Sequence, residues 1–182
     1  MVGVTYPTHV THLTLTWFAM MAAMMAPTVW PWIRSFHRFG GSTLSFGSGY
    51  LAAWLGYSVL AAGLQINLHP SAMIAPLLLA VAGLYQFAPL KRACLTHCRS
   101  PFSYFLARWR GGPIGGFRMG VGHGVYCVGC CWALMATMIA VGATNAVWMV
   151  VLAIVTFVEQ VVPRGDVLRL PLGFALLVAA LT

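Results

Sequence analysis

Acidic side chains are almost absent: Glu159 and Asp166 are the only two in 182 residues. That scarcity removes paired-carboxylate hydrolysis and group transfer, and no phosphate-cradling loop or Ser/His/Asp constellation of sensible spacing replaces them. Charge of either sign is rare, at 7% of residues, where a soluble domain carries roughly a quarter. With 60% hydrophobic residues and a mean hydropathy of +0.86, the apolar side chains cannot all hide in one globular core. The bilayer is their natural solvent. A pI near 9.8 does not signal nucleic acid, because the ten basic residues lie in short connections and no basic helix with interleaved aromatics occurs. A cleavable signal peptide is not expected, since the first residues lack positive charge and no small-residue cleavage site follows.

What is present is a series of apolar runs, at about 13–32, 46–68, 71–90, 119–141, 145–162 and 167–181. Most are near the ~20 residues a helix needs to cross hydrocarbon, the last being short. They predict a single all-α domain, a polytopic transmembrane bundle of six spans. Pro27 and Pro31 are expected to bend or end the first helix and Pro89 to kink the third. Arg34, Arg38, Lys91, Arg92, Arg99, Arg108, Arg110, Arg118, Arg164 and Arg169 then all fall on one side. The positive-inside rule makes that side cytoplasmic and places both termini outside. A bacterial inner (cytoplasmic) membrane is the expected location. The connection 91–118 is expected as a solvated basic loop touching anionic lipid head groups, with an interfacial helix at 102–109.

Five cysteines form two clusters, each beside a histidine. In HGVYCVGCCWALM, residues 123–135, helical spacing sets His123, Cys127, Cys130 and Cys131 on one stripe with Met138, inside an arc of about 100°. Gly120 and Gly124 flank it at small-xxx-small spacing, which lets another helix come close. CLTHC, residues 94–98, puts Cys94, His97 and Cys98 on one face. MMAAMMAP, residues 20–27, stacks Met20 above Met24 and Met21 above Met25. In the six-span orientation these groups, together with Glu159, converge on the cytoplasmic half of the bundle.

Thiolate and thioether ligands favour Cu(I), with Zn(II) as the alternative because four Cys/His ligands would suffice for it. The methionines tilt the choice to copper, and a bis-histidine haem ranks last. Cys94, Cys98, His123, Cys127 and Cys130 are the expected ligands, with Cys131 beside them and Met24, Met25 and Met138 as an outer relay. His97 and Glu159 are further candidates. Each has a plainer reading: methionine packs cores, a buried cysteine is a small hydrophobe, and Glu159 can pair with Lys91 or Arg164. An intramembrane acid is nonetheless a functional candidate by default.

YQFAPLKRACLTHCRSP (85–101), HGVYCVGCCWALM, MMAAMMAP, NAVWM (145–149) and Glu159 occur in an order and spacing that resemble a bacterial family of predicted metal-binding integral membrane proteins of unestablished function. The resemblance covers residue 20 to about 166. Two departures stand out. Gln160 follows Glu159 where the family often has Lys, and the chain is shorter than usual members, which raises the expectation of a flanking helix beyond it.

Three functions fit the pattern. The first is a membrane metal-binding protein, not an enzyme, that holds Cu(I) for copper handling or for supply to a membrane oxidase or monooxygenase. The second is an accessory structural subunit of a larger membrane complex. The third is a thiol–disulfide oxidoreductase using Cys94/Cys98 and Cys127/Cys130, disfavoured because these thiols face the reducing side.

Overall fold

The computed structural model describes residues 6–67, 74–141 and 145–181. Every element among them is helical: α1 (Tyr6–Arg38), α2 (Thr43–Asn67), α3 (Ile74–Phe87), α4 (Pro89–Cys98), α5 (Pro101–Arg108), α6 (Gly112–Val141), α7 (Ala146–Val161), a 3-10 turn (Gly165–Leu168) and α8 (Arg169–Leu181). α1, α2 and α6 are long and apolar enough to cross a membrane, and α3 with α4 pass the same test across a 69° bend. α7, with 16 residues, and α8, with 13, are shorter. At 1.5 Å per residue they reach only about 24 Å and 20 Å. The connections at 68–73 and 142–144 lie outside the described residues.

α1 does not end at its prolines: it continues through Pro27 and Pro31 to Arg38. Its buried face, Trp17, Met20, Met21, Met24, Met25, Thr28, Trp32 and Phe36, continues at helical spacing past both prolines. Burial of that face favours continuing the helix, and the hydroxyls of Thr28 and Ser35 donate to the carbonyls of Met25 and Pro31 at 2.8 Å.

The segment 91–118 is not the loop expected. Pro89 and Pro101 each open a helix, a position where a missing N–H costs nothing. α5 matches the expected interfacial helix closely, and α6 begins already at Gly112. Its glycines do not break it because neighbours fill the space where side chains would stand. A β-carbon at Gly116 would meet Ser45 Oγ at 2.6 Å, so tertiary packing overrides helix propensity here.

α2 and α6 form the tightest pair. A β-carbon at Gly120 would strike the Phe46 carbonyl, and one at Gly124 would lie 3.2 Å from the Tyr50 carbonyl and closer still to Ala53. The close approach expected at Gly120 and Gly124 is therefore to α2. Gly83 and Gly173 do the same for α3 and α8, where a β-carbon on Gly83 would sit 3.0 Å from the Gly173 carbonyl.

Candidate metal centre

The bend before α4 builds the site. Ala88 is extended, at φ −62° and ψ 136°, as the ring of a following proline demands. α4 therefore leaves the line of α3 and lies against α6. Its buried residues are Lys91, Cys94, Leu95 and Cys98, three and four apart as one helix face requires. A span that continued straight past Phe87 would carry these side chains away from α6.

All five cysteines are free and buried. Cys98 Sγ lies 3.9 Å from Cys130 Sγ, joining α4 to α6. Cys127 lies one turn before Cys130 and Cys131 on α6, and all three are buried. Cys127 Sγ also meets Tyr50 Oη at 3.3 Å and donates to Gln160 Oε1 at 3.5 Å. The site thus has walls from α2, α4, α6 and α7. Cys94 Sγ fits against Gly129, whose β-carbon would be only 2.9 Å away.

Among the described residues no three His, Cys, Asp or Glu groups surround one point at ligation distance. The thiols of Cys130 and Cys131 instead donate to the Cys127 carbonyl, at 3.1 and 2.9 Å. Buried hydroxyls and thiols in helices commonly fold back in this way. Turning them from that carbonyl is a side-chain rotation, not a movement of backbone. The donor chemistry fits a soft ion. Two thiolates sharing one ion through bonds of about 2.3 Å at a tetrahedral angle stand about 3.8 Å apart, close to the separation of Cys98 and Cys130.

The other expected residues divide. His123 is buried one turn before Cys127, but its contacts are aromatic: it stacks on Trp32 with centroids 3.6 Å apart and on Tyr50 at 5.5 Å. His97 stacks on Tyr126 of α6 at 4.0 Å. Met24, Met25 and Met138 are buried in the same core cluster as the cysteines, and Met25 Sδ accepts a weak contact from Thr28 Oγ1 at 3.8 Å. Glu159 is an ion-pair partner: its Oε2 lies 2.7 Å from Lys91 Nζ, with both side chains buried. Of its two expected partners, Lys91 is the one found, because the α4 bend turns it inward.

Three positions were not singled out in the sequence as part of the site. Gln160 accepts from Cys127, so the departure from the family's Glu-Lys pattern supplies a thiol acceptor. Tyr50 and Trp32 enclose Cys127 and His123. The only advance signal is polarity inside apolar runs, which marks Gln160 and Tyr50 weakly. A cavity of about 130 Å³, lined by Thr28, Trp32, Cys98, Arg99 and Gln160 among others, reaches Cys98 from outside the thiol group. Trp32 Nε1 donates to the Cys98 carbonyl at 3.0 Å and holds that wall in place.

Neither a curated protein nor a solved structure matches the chain. Residues 14–182 match the family described as PpoB2: Copper chaperone. A description that names copper agrees with soft sulfur donors gathered in an apolar interior. With almost its whole length matched, the chain belongs to the PpoB2 copper chaperone family.

Proposed function

We propose that this protein is an integral membrane copper chaperone that takes Cu(I) as cargo at Cys98, Cys127 and Cys130, with Cys94 and Cys131 as exchange partners. The observation that carries the reading is the meeting of α4 and α6 thiols, with Cys98 and Cys130 sulfurs 3.9 Å apart. Copper reaches Cys98 through the cavity beside Trp32 and Gln160 and passes inward by replacing one sulfur ligand with the next. Each thiol releases its proton as it binds, so loading is favoured by rising pH. His123 keeps the aromatic wall, and the methionines keep the pocket apolar and soft. We place the protein in a bacterial inner membrane as a six-span bundle with both termini outside, α3 and α4 forming one bent span. The basic residues that cluster near one set of ends of the apolar runs support that orientation. The recipient is a membrane oxidase or monooxygenase, reached within a larger membrane assembly.

Elemental analysis of protein purified without chelator tests this reading. About one copper per chain is expected, or reconstitution to that ratio by Cu(I) under reducing conditions. Cys98→Ser and Cys130→Ser are each expected to lower retention at least tenfold. A parent protein that neither carries nor accepts copper, or that selects zinc instead, ends the proposal. The same 3.9 Å contact also favours a second reading, thiol–disulfide exchange through Cys98 and Cys130 in place of the pairs expected from sequence. Thiol trapping in cells separates the two, since a cargo site keeps these thiols reduced.

A further inference from the structure

We propose that the cleft between α5 and the start of α6 is a binding site for a phosphate group, held by Arg108, Arg110 and Arg118. The cleft has a volume of about 490 Å³, and these three arginines line it with Tyr104, Trp109 and Met119. Its floor is built: Tyr104 Oη donates to the Met119 carbonyl at 3.2 Å, and the Arg110 N–H meets Met119 Sδ at 3.2 Å. That pair of contacts ties the α5–α6 connection to the first turns of α6. The proposal is independent of copper binding.

Charge bookkeeping points to an external anion. The chain has only two acidic residues. Glu159 is held by Lys91 at 2.7 Å, and Asp166 lies 3.4 Å from Arg99. No acidic side chain is left to neutralise Arg108, Arg110 or Arg118. Three arginines lining one cleft repel one another, and an anion between them would relieve that repulsion. Their fork of N–H donors matches phosphate oxygens in pairs. Trp109 lines the cleft and is 40% exposed, while Phe102, Leu106 and Ile114, elsewhere on α5 and α6, are 63%, 63% and 72% exposed. An exposed ring beside a basic cleft, on helices with such apolar outer faces, suits a phospholipid with its head group at the arginines. Free phosphate shares the head-group chemistry and is the other source.

Full-length protein in phosphatidylcholine nanodiscs is titrated with phosphatidylglycerol, and protein in neutral detergent with inorganic phosphate, bound ligand being counted by native mass spectrometry. One phosphatidylglycerol retained above the phosphatidylcholine background is expected. At about fivefold per arginine, R108Q/R110Q/R118Q should lower retention by roughly 100-fold. R34Q/R38Q/R92Q, which removes equal charge elsewhere, should change it by no more than about twofold. R108K, R110K and R118K keep charge but lose the fork, and each should weaken retention with helicity unchanged. Arginine-dependent binding of inorganic phosphate assigns the free ion as a ligand; phosphatidylglycerol retention without it assigns the head group. The site is overturned by no binding in either arm, by retention in the triple glutamine variant, or by equal losses in both triple variants.

Discussion

Glu159 presents one carboxylate oxygen to Lys91 at 2.7 Å, while its Oε1 has no hydrogen-bond partner. Breaking a buried pair from one side leaves a charge in a low-dielectric interior, at a cost of about 3–5 kcal/mol. Lys91→Met should therefore lower the thermal midpoint of the detergent-solubilised protein sharply, and Lys91→Met with Glu159→Leu should recover most of the loss. Equal stability of the single variant and the parent would sink this account. Gly129 is a different case. Its added methyl would press on Cys94 Sγ at 2.9 Å, so Gly129→Ala should displace that thiol and reduce copper loading severalfold without unfolding α6. Metal content beside circular dichroism checks it. At this scale Glu159's partner was narrowed in the sequence to Lys91 or Arg164, and geometry chose. Arg164 sits in a left-handed turn at φ 59°, whereas Lys91 rides the inward face of α4.

Among the elements, α4 matters most, and Pro89 creates it. Pro89→Ala restores an N–H and frees Ala88 to be helical, so α3 and α4 should straighten toward one helix. Cys98 then leaves Cys130. The expected outcome is loss of the Cys98–Cys130 disulfide that diamide forms in the parent, scored by mass spectrometry of the cross-linked peptides. A variant that cross-links as fast as the parent would show that the bend does not position the thiols. Gly120→Val is predicted to force α2 from α6, because the space beside Gly120 is filled by the Phe46 carbonyl. Reduced expression in the membrane fraction and a lower thermal midpoint are its readouts. Both the proline and the glycine were legible as sequence features. Legible too was the cysteine stripe, since helical spacing alone aligns residues 123, 127, 130 and 131. Apart from the helix expected at 102–109, the helicity of 91–118 was not, because basic and glycine-rich composition resembles a loop until neighbours pack against it.

For the whole molecule, the outer surface is as informative as the core. Leu60, Leu77, Val147, Ile154 and Phe174 are 73%, 62%, 71%, 58% and 63% exposed, on α2, α3, α7 and α8. A water-facing surface of this kind aggregates, whereas a lipid-facing one is at home. Alkaline carbonate should leave the protein in the membrane pellet, and detergent should release it. Release by carbonate alone would contradict membrane integration. Aromatic rings form the opposite extreme, with Trp32, Phe46 and Tyr50 buried against His123 and Phe36 and Phe105 packed behind them. This packing makes the interior stiff, so the proposed copper exchange at the thiols would call for side-chain rotation and not for opening of helices.

By itself the sequence determined an apolar, helical chain, its soft-donor residues and the faces they share, because hydropathy and helical spacing are local properties. Only the tertiary structure decided which faces meet. The extended Ala88 turns a whole helix, and the small residues at 120, 124 and 129 set how closely neighbours come. Those are distances between segments remote in the chain, and no local pattern encodes them. The pairing of Cys98 with Cys130, of Lys91 with Glu159, and the aromatic box around His123 all follow from that arrangement.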